Sequence, residues 1–419
     1  MPRNLPRKRG SLLIASVSAR ALAEAARRAG FTPLVADFFA DADTQDAAHA
    51  CRKLTGLARG FRWRSLYPAL SALAALAPSP VLGVVYGSGF EDRPELLRLM
   101  SQRWPLLGTG ATTVARLKSP EDFFATLDRL DIAHPPTQSE TPSRNGKPLA
   151  KTWLAKKRGG AGGSHIVPGR LASAKGDIYF QQHVAGRAVS ALFVACGGEA
   201  RVLGFSEQWT SPLPSRRWRY GGAVSPANLA PALARKLTGT VKKLARAHPI
   251  AGLASADFLL CDDVPLLLEI NPRPGATLDI FDRGRRKLLS LHLEAARDGK
   301  LPTRGLAFKD AMASAIVYAA RRARAPADGA WPTWVADRPQ PLEWIDKGRP
   351  ICTVSARAAT SAGARRLAES RRLKILQLFQ AASTGETGER HGKKSAAKRN
   401  ESLDERQRPV GAARQGARR

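Results

Sequence analysis

Acidic residues are scarce in this sequence, and their shortage sets the sign of its surface. The 419 residues include 35 Asp and Glu against 67 Lys and Arg, which gives a formal net charge of +32. Such a surface favours polyanions, namely nucleic acid or an anionic membrane, and acidic small molecules. The excess could equally reflect an arginine-rich proteome, because the arginines are spread along the whole chain.

Cysteine is also scarce, and long apolar runs are missing. The cysteines are scattered, with no C-x-x-C pair and no pair of histidines nearby: Cys51, Cys196, Cys261 and Cys352. This spacing argues against a zinc site or a disulfide framework and fits a reducing cytoplasm. No apolar stretch is long enough for a transmembrane helix, so none is expected.

The N-terminal region has the pattern of a small α/β domain. Residues 11–17 predict a buried strand, residues 19–29 an alanine-rich helix and residues 31–36 a second strand. This order is typical of a doubly wound sheet, although the G-x-G-x-x-G fingerprint of a dinucleotide site is absent. Residues 81–86 predict a further strand that runs into the glycine-rich turn 87–92. Such a turn either contacts a ligand at the carboxyl edge of the sheet or simply leads into the next helix.

The segment 255–282 contains a candidate metal site. Two apolar runs joined by a polar turn predict a β-hairpin with one buried face. Residues two apart on one strand face the same side, so Glu269 and Asn271 can reach one hard cation such as Mg²⁺, which usually shares its shell with water and phosphates. Asp257 on the other strand is a third candidate ligand, and Arg273 can reach the same phosphates.

A glycine-rich loop follows a second candidate strand. Residues 153–155 predict the strand, and Lys156 ends it. The loop residues that could bind phosphate are Gly159, Gly160, Gly162, Gly163 and Ser164. Backbone N–H groups of such a loop can surround phosphate oxygens, and a neighbouring lysine adds a positive charge. Lys157 is an alternative to Lys156 for this role.

These motifs resemble the ATP-grasp superfamily, which includes biotin carboxylase and the D-alanine–D-alanine ligases. The run E-I-N-P-R-P-G-A-T at 269–277 is similar to the closing motif of that family, and the resemblance extends over roughly residues 108–282. In the family an Asp, a Glu and an Asn hold two Mg²⁺ ions against the phosphates of ATP, and Mn²⁺ is an expected substitute. The resemblance assigns the metal-binding roles to Asp257, Glu269 and Asn271, and catalytic roles to Arg273 and Lys156.

The resemblance also implies where the nucleotide binds. Lys118, or Arg116 beside it, is the candidate first nucleotide lysine, on a helix predicted between residues 108 and 137. Lys156 is expected on the α-phosphate and adenine side, with the glycine-rich loop over the β- and γ-phosphates. Strand 178–184 resembles the hinge strand that hydrogen-bonds adenine, although it lacks the acid common in the family. Its candidate contacts are Gln181, Gln182 and Val184.

Two further features near the predicted site have open roles. The segment 216–222, R-R-W-R-Y-G-G, predicts a pocket for an acidic substrate or a surface loop, and its aromatics would also suit nucleic acid. Glu207 follows a predicted hairpin of residues 191–195 and 201–205 and could face the site.

The expected fold class is α/β, with an ATP-grasp domain between an N-terminal doubly wound domain and a small C-terminal module. In the C-terminal part, residues 285–297 and 309–323 are predicted as helices and residues 351–354 as a strand. The expected units are residues 1–107 for the N-terminal domain, 108–285 for the nucleotide-binding domain, 286–383 for the C-terminal module and 384–419 for a disordered basic tail.

The resemblance implies an ATP-dependent carboxylate–amine ligase. A substrate carboxylate would attack the γ-phosphate of ATP and an amine would take the resulting acylphosphate, so no nucleophilic side chain is needed. The layout is also similar to a branch of predicted carboligases that includes a tyramine–glutamate ligase of methanofuran synthesis. This implies addition of glutamate or a similar amino acid in one-carbon cofactor biosynthesis. The expected partners are a small acidic carboxylate and an amine, in the cytoplasm and away from membranes, and a homodimer is one open option.

Two other classes of function stay open. A bicarbonate-using carboxylase, as in biotin carboxylase, would be identified by bicarbonate-dependent ATP turnover. A basic nucleic-acid-binding protein with an inactive ATP-grasp domain would bind RNA in a salt-dependent way without ATP turnover. The intact Asp, Glu and Asn set argues against an inactive domain.

Overall fold

A computed structural model describes residues 10–144, 147–148, 153–169, 177–262, 264–327 and 331–379. The predicted disordered tail 384–419 lies outside these residues. Among the described helices, none is long and apolar enough to cross a membrane. The four cysteines are free thiols, and Cys352 is buried.

The N-terminal domain is a four-stranded parallel sheet with helices on both faces, which confirms the doubly wound prediction. Its elements are β1 (Ser11–Ala15), α1 (Arg20–Arg28), β2 (Thr32–Asp37), α2 (Ala42–Ala47), β3 (Ala50–Lys53), a short 3₁₀ turn (Leu57–Arg59), α3 (Trp63–Ala75), β4 (Val81–Tyr86) and α4 (Pro94–Ser101). The strand order is β3-β2-β1-β4. Leu12 and Ile14 pack with α1, whereas Leu13 packs with Leu66 of α3 on the other side. Because both faces are covered, β1 is apolar almost throughout.

Two helices, α5 (Ala111–Lys118) and α6 (Pro120–Arg129), replace the single helix predicted between residues 108 and 137. The side chain of Ser119 accepts a hydrogen bond from the N–H of Asp122 and so caps α6. Proline disfavours helical geometry in the residue before it, so α5 ends ahead of Pro120. The prediction of one continuous helix is therefore wrong, and the break leaves Lys118 at the end of α5.

A small antiparallel sheet follows in the chain. Its strands are β5 (Thr137–Gln138), β8 (Trp153–Lys157), β9 (Ile166–Pro168) and β10 (Ile178–Gln182), while β6 (Ser143–Arg144) and β7 (Lys147–Pro148) form a separate hairpin. The sheet order is β5-β10-β8-β9. The predicted strand 153–155 and most of the predicted hinge strand 178–184 are therefore neighbours, with Lys156 paired to Tyr179 and Leu154 to Gln181.

The remaining elements build an eight-stranded antiparallel sheet and its covering helices. They are β11 (Arg187–Cys196), β12 (Glu199–Thr210), β13 (Tyr220–Ser225), α7 (Pro231–Ala247), β14 (Gly252–Cys261), β15 (Val264–Asn271), α8 (Leu278–Phe281), α9 (Leu288–Asp298), β16 (Ala311–Tyr318), β17 (Ala323–Arg324), β18 (Val335–Ala336), β19 (Trp344–Ile345), β20 (Pro350–Ala358) and α10 (361–379). The strand order is β15-β14-β11-β12-β13-β16-β20-β18, and β17 and β19 pair separately.

The C-terminal predictions have mixed outcomes. The helix predicted at 285–297 is present as α9, and the strand at 351–354 lies within β20. The helix predicted at 309–323 is wrong, because residues 311–318 form strand β16. Alanine and methionine favour helices in isolation, but β16 is paired on both sides, with β13 and β20. Pairing and packing of this kind override local propensity.

The two faces of the large sheet carry different hydrophobic cores. Phe193 of β11 and Phe258 of β14 pack under α7, whereas Leu192 and Leu253 lie on the opposite face with α1 and α9. Side chains alternate along a strand, so Asp257 shares the face of Leu253. Around Leu253 that face is covered by α9, and α1 packs against α9.

Candidate active site

The predicted hairpin is formed by β14 and β15, and it brings the candidate metal ligands to one face. Asp257 is paired with Glu269, and Asn271 is paired with Ser255. On the neighbouring strand β11, Ser190 is paired with Asp257. Residues paired across strands point to the same side of a sheet. The hairpin prediction is therefore confirmed in its geometry.

The three candidate ligands lie within hydrogen-bonding distance of one another. Nδ2 of Asn271 donates to Oδ2 of Asp257 at 3.0 Å and to Oε1 of Glu269 at 3.2 Å. Oδ1 of Asp257 accepts from Oγ of Ser190 at 2.6 Å and from Nε2 of Gln208 at 3.3 Å. Sequence reasoning missed Ser190 and Gln208, which only the register of β11 and β12 could have placed beside Asp257.

Lys118 extends into this cluster from the end of α5. Its Nζ donates to Oε2 of Glu269 at 3.2 Å and to Oδ1 of Asn271 at 3.0 Å. The Lys118 side chain is 7% exposed, while that of Glu269 is 38% exposed. Of the two alternatives on this helix, Lys118 rather than Arg116 contacts the candidate ligands. The cluster is open on the side of Glu269.

Lys156 is the inward member of the adjacent lysine pair. It is buried, and its Nζ donates to Oε1 of Gln181 at 2.6 Å. Burial lowers the pKa of Lys156 to about 8. Lys157 points outward, with Nζ 2.9 Å from Oδ2 of Asp92. In the rest of the predicted hinge, the N–H of Gln182 donates to the carbonyl of Pro136 at 2.8 Å, and the partly exposed Val184 follows β10.

The glycine-rich loop between β8 and β9 is packed against two neighbouring segments. A Cβ on Gly159 would lie 2.6 Å from the backbone of Asp92, and one on Gly163 would lie 1.9 Å from the carbonyl oxygen of Trp218. The carbonyl of Gly162 accepts from the N–H of Tyr220 at 3.0 Å. The glycines of this loop therefore permit close contact with protein. Contact between phosphate and this loop, including Gly160 and Ser164, stays a prediction.

His165, directly after the loop, was not singled out by the sequence. Its Nδ1 lies 3.3 Å from the carbonyl of Ala161. Burial lowers the pKa of His165, and the opposing charges of Glu269 and Lys156 also act on it. A histidine that follows a glycine cluster is the only sequence signal that could have pointed to it.

Arg273 leaves the hairpin and pairs with an acid of the N-terminal domain. Its Nε donates to Oε1 of Glu91 at 2.7 Å, and its Nη2 lies 2.7 Å from the same oxygen. Both side chains are almost fully buried. Sequence reasoning placed Glu91 in the turn 87–92 without giving it a role. The contact joins residues 182 positions apart.

One arginine of the predicted acidic-substrate segment is buried, and Glu207 does not face the site. The exposed Arg216 and Arg217 leave the pocket a prediction. Arg219 is buried, with Nε donating to the carbonyl of Ser211 at 2.9 Å and its guanidinium 3.5 Å from the ring centroid of Tyr318. The guanidinium of Arg219 therefore contacts groups of the protein itself.

Glu207 forms an ion pair with Arg187. Its neighbour Ser206 is opposite Ser190, which is opposite Asp257, so Ser206 shares the face of Asp257 and Glu207 points to the other face. Alternation along β12 gives the position facing the site to Gln208 instead.

The family of the central region is identified by its sequence. Residues 121–277 match the family model described as an ATP-grasp domain. This region is an ATP-grasp domain. The match includes the glycine-rich loop, both lysines that precede it and the whole hairpin, so the resemblance drawn from the motifs is confirmed. No curated protein matches the sequence of this ATP-grasp chain.

Solved structures with the ATP-grasp fold superpose over most of this chain. N5-carboxyaminoimidazole ribonucleotide synthetase (PurK) with ADP gives a TM-score of 0.64 at 15% identity, over 89% of this chain and 98% of the other. Biotin carboxylase of Campylobacter jejuni, in a β-γ-ATP complex, gives 0.66 at 15% identity, over 84% and 88%. The biotin carboxylase domain of Hydrogenobacter thermophilus 2-oxoglutarate carboxylase, with MgADP and bicarbonate, gives 0.65 at 12% identity, over 83% and 86%. At these identities the likeness establishes the fold.

The electrostatics of the ATP-grasp hairpin favour a bound cation. Burial raises the pKa of Asp257, and the charge of Glu269 raises it further. Partial burial also raises the pKa of Glu269, but Lys118 and the hydrogen bond from Asn271 outweigh it and hold that pKa low. Two carboxylates this close repel each other when both are ionised. A cation between them relieves the repulsion, and the ammonium of Lys118 lies beside Glu269.

The donor set fits Mg²⁺ better than a softer metal. It offers two carboxylates and an amide oxygen, which are the ligand types of hard cations. Among the described residues, no group of three or more His, Cys, Asp or Glu side chains could hold a metal by itself. Ions at Asp257, Glu269 and Asn271 would therefore need oxygens from water and nucleotide to complete their shells, which is the usual situation of Mg²⁺ in phosphoryl-transfer sites.

Proposed function

We propose that this ATP-grasp protein is an ADP-forming ligase that joins a carboxylate to an amine through an acylphosphate. The observation that carries the proposal is the convergence of Asp257, Glu269 and Asn271 with the ammonium of Lys118 on one open face of the large sheet. Lys156 lies close enough for its charge to act on the pKa of Glu269. Carboxylates and lysines gathered in this way suit the phosphates of MgATP.

The metal-binding role goes to the three oxygen-bearing residues of the hairpin. Asp257, Glu269 and Asn271 would hold the two Mg²⁺ ions expected for the family, or Mn²⁺ in their place. Bound Mg²⁺ neutralises charge on the phosphate oxygens. Ser190 and Gln208 would keep Asp257 oriented, because both donate to its Oδ1.

The nucleotide is proposed to lie between the two sheets. Lys118 would exchange its bonds to Glu269 and Asn271 for a phosphate oxygen, and Lys156 would bind the α-phosphate from its buried position beside Gln181. The backbone N–H groups of the glycine-rich loop would cover the terminal phosphates. The proposed adenine contacts are Gln181, Gln182 and Val184.

The proposed reaction has two steps. A carboxylate oxygen of the substrate forms a bond to the γ-phosphorus while the bond to the bridging oxygen breaks, and ADP leaves. The amine nitrogen then bonds to the acyl carbon, inorganic phosphate leaves and the nitrogen loses a proton. The chain's own contribution is to orient the reactants and to stabilise negative charge, with Arg273 as the proposed donor to the phosphoryl group in transfer.

Bicarbonate-dependent carboxylation is the second candidate function. It is favoured by the solved structures, since those named above include a carboxyaminoimidazole ribonucleotide synthetase and biotin carboxylases, one of them with bicarbonate bound. Bicarbonate would take the place of the substrate carboxylate, and the same residues would hold the nucleotide. The two candidates differ in the acid that is activated.

The finer substrate proposal is glutamate or a similar amino acid, in one-carbon cofactor synthesis of the methanofuran type. The formal charge of +32 supports an acidic substrate, because a basic surface raises the local concentration of anions. A cytoplasmic location and a homodimer remain predictions.

The experiment that tests the function measures ADP release by the full chain with Mg²⁺. The protein is offered pools of amino acids, tyramine and bicarbonate, and Glu269→Ala is the negative control. Turnover that needs one carboxylate and one amine supports the ligase, and turnover that needs bicarbonate supports the carboxylase. A protein that does not bind ATP would contradict both candidates.

A further inference from the structure

Glu91 and Arg273 form a buried ion pair between the N-terminal domain and the end of the hairpin. The Glu91 side chain is 4% exposed and that of Arg273 is 10% exposed. Nε and Nη2 of Arg273 each lie 2.7 Å from Oε1 of Glu91. A buried charge without a partner is strongly unfavourable. The position of this guanidinium therefore depends on Glu91.

The ion pair leaves part of the guanidinium unused. A guanidinium has five N–H donors in a planar fork. Two of them point to Glu91, and a third, on Nη1, donates to the carbonyl of Pro274 at 3.3 Å. Among the described residues, one N–H on each Nη remains without an acceptor. Two such donors match two oxygens of a phosphate or carboxylate.

The turn that carries Glu91 is held firmly by its own domain. The N–H of Gly89 donates to Oε2 of Glu91 at 2.6 Å. Gly89 has φ +105°, a value that favours glycine, and a Cβ there would lie 2.7 Å from Cγ2 of Val17. Tyr86, at the end of β4, has its hydroxyl 2.7 Å from the carbonyl oxygen of Thr109 and 3.1 Å from that of Pro272. The N-terminal domain thus contacts both the backbone before Arg273 and its side chain.

The location of the pair links it to the nucleotide end of the site. Arg273 follows Asn271 by two residues, and the same turn that carries Glu91 presents Asp92 to Gly159 of the glycine-rich loop. The turn therefore touches two segments that the proposed function assigns to phosphate. A donor held ready in such a place needs no reorganisation when the phosphate arrives.

We propose that Glu91 is a positioning residue for Arg273, holding its guanidinium so that the two remaining donors face the terminal phosphate of the nucleotide. This inference rests on the proposed function. It adds a residue of the N-terminal domain, outside the matched range 121–277, to the machinery that recognises ATP over ADP.

The test compares the affinities of the full chain for ADP and for a non-hydrolysable ATP analogue, by calorimetric titration with Mg²⁺. The variants are Glu91→Gln, Arg273→Met, the two combined, and Glu91→Asp. The matched control is Glu294→Gln, which makes the same change in an exposed pair whose Oε2 lies 2.9 Å from Nη2 of Arg286.

The wild-type protein is expected to prefer the ATP analogue. Glu91→Gln and Arg273→Met should each reduce that preference by about tenfold, the effect of losing one charge-assisted contact. The double variant should lose no more than Arg273→Met alone, because Glu91 acts through Arg273. Glu91→Asp keeps the charge and should recover part of the preference, and Glu294→Gln should change nothing.

Three results would overturn the inference while the proposed function stands: an unchanged preference in Glu91→Gln, an unchanged preference in Arg273→Met, or additive losses in the double variant. If Glu91→Gln does not fold, Glu91→Asp is the deciding variant. The proposal would be contradicted if Arg273 is shifted in the structure of Glu91→Asp while its preference for the ATP analogue over ADP equals that of wild type. A wild-type chain that binds neither nucleotide would overturn the proposed function and this inference with it.

Discussion

Two clusters of buried charge in this protein differ in how completely they are paired. At the first, the Arg20 guanidinium donates to both oxygens of Asp279 at 2.6 Å, and to those of Asp337 at 3.0 and 3.1 Å. At the second, on the hairpin, the ammonium of Lys118 donates to Glu269, and Asn271 donates to both Asp257 and Glu269. The Arg20 side chain is 4% exposed, whereas that of Glu269 is 38% exposed.

The difference separates a structural cluster from a binding cluster. Around Arg20 both carboxylates are held in a bidentate way by one guanidinium and are 16% and 23% exposed, so the cluster joins α1, α8 and the segment before β19. On the hairpin the ammonium of Lys118 donates to Glu269 alone of the two carboxylates, and the Glu269 side is open. A cluster closed by a bidentate guanidinium needs no ligand, whereas an open pair of carboxylates attracts a cation.

The largest effect is expected from breaking the closed cluster. Arg20→Met leaves Asp279 and Asp337 without their partner, and the free energy of unfolding should fall by about 3–5 kcal/mol. Nucleotide affinity should change by less than about twofold. Urea unfolding followed by circular dichroism measures the free energy of unfolding.

Arg27→Met, on the exposed side of the same helix, is the control and should change the free energy of unfolding by less than about 0.5 kcal/mol. A loss below about 1 kcal/mol in Arg20→Met would show that the cluster is not structural.

The open cluster should show its effect mainly on activity. Glu269→Gln keeps the shape of the side chain but removes the charge that faces the cation, and ATP turnover should fall by about 100-fold. The melting temperature should fall only slightly, because the lowered pKa of Glu269 shows that its charge stabilises the folded chain through Lys118. Steady-state ADP release and differential scanning calorimetry measure the two effects. Full activity in this variant would be incompatible with metal binding at Glu269.

The same comparison explains how much of the site could be predicted. Asp257, Glu269 and Asn271 lie within fifteen residues on one hairpin, so period-two alternation was enough to bring them together. Lys118 was predicted only as one of two candidates, because the sequence alone does not show which side of α5 faces the hairpin. Glu91 was missed, since its contact spans 182 residues and no local pattern encodes it.

The fold was predictable to a similar degree and for similar reasons. The first strands of the N-terminal domain are apolar runs between clear helix and turn signals, and they were placed within two residues. Strand β16 was mistaken for a helix, because its alanines and its methionine carry little information about pairing with β13 and β20. The local apolar pattern determines where a helix or strand begins and ends. When that pattern is weak, pairing with neighbouring strands determines whether the segment becomes a strand or a helix.

A smaller effect is expected at the junction of the metal and nucleotide positions. Lys118→Met removes the ammonium that now lies beside Glu269 and Asn271. Without this internal cation, Mn²⁺ alone should bind about tenfold more tightly, because two carboxylates are left unneutralised. ATP should bind about tenfold more weakly, because a phosphate contact is lost. Electron paramagnetic resonance of free Mn²⁺ and calorimetry with ATP report the two affinities separately.

Arg116→Met is the control for this pair of measurements, since it removes a cation from the same helix without touching the candidate ligands. It should leave Mn²⁺ affinity unchanged. If both affinities fall together in Lys118→Met, the lysine supports the site only through folding. Tighter binding of Mn²⁺ together with weaker binding of ATP is the result expected for a lysine that exchanges its carboxylate contacts for a phosphate contact.

The smallest effect is a pH dependence from Lys156. Burial lowers its pKa from the ordinary 10.5 to about 8, so in the nucleotide-free protein the ammonium loses its proton as the pH rises through that value. ATP affinity should be level below pH 7.5 and should fall by up to about tenfold by pH 9, because the phosphate then meets a neutral amine. Lys156→Met should have a weak and pH-independent affinity, while Lys157→Met, at the exposed neighbour, should keep the wild-type profile.

Stability should move the other way across the same range. Between about pH 8 and 10.5 the unfolded chain holds a proton on Lys156 that the folded chain has released, so this lysine makes the free energy of unfolding rise with pH. Below pH 8 both states hold the proton, and the full cost of burying the charge remains. Unfolding of wild type and Lys156→Met at pH 7 and pH 9.5 isolates the contribution. A gap between the two proteins that does not change with pH would mean that Lys156 stays protonated, and the fall in ATP affinity would then need another group.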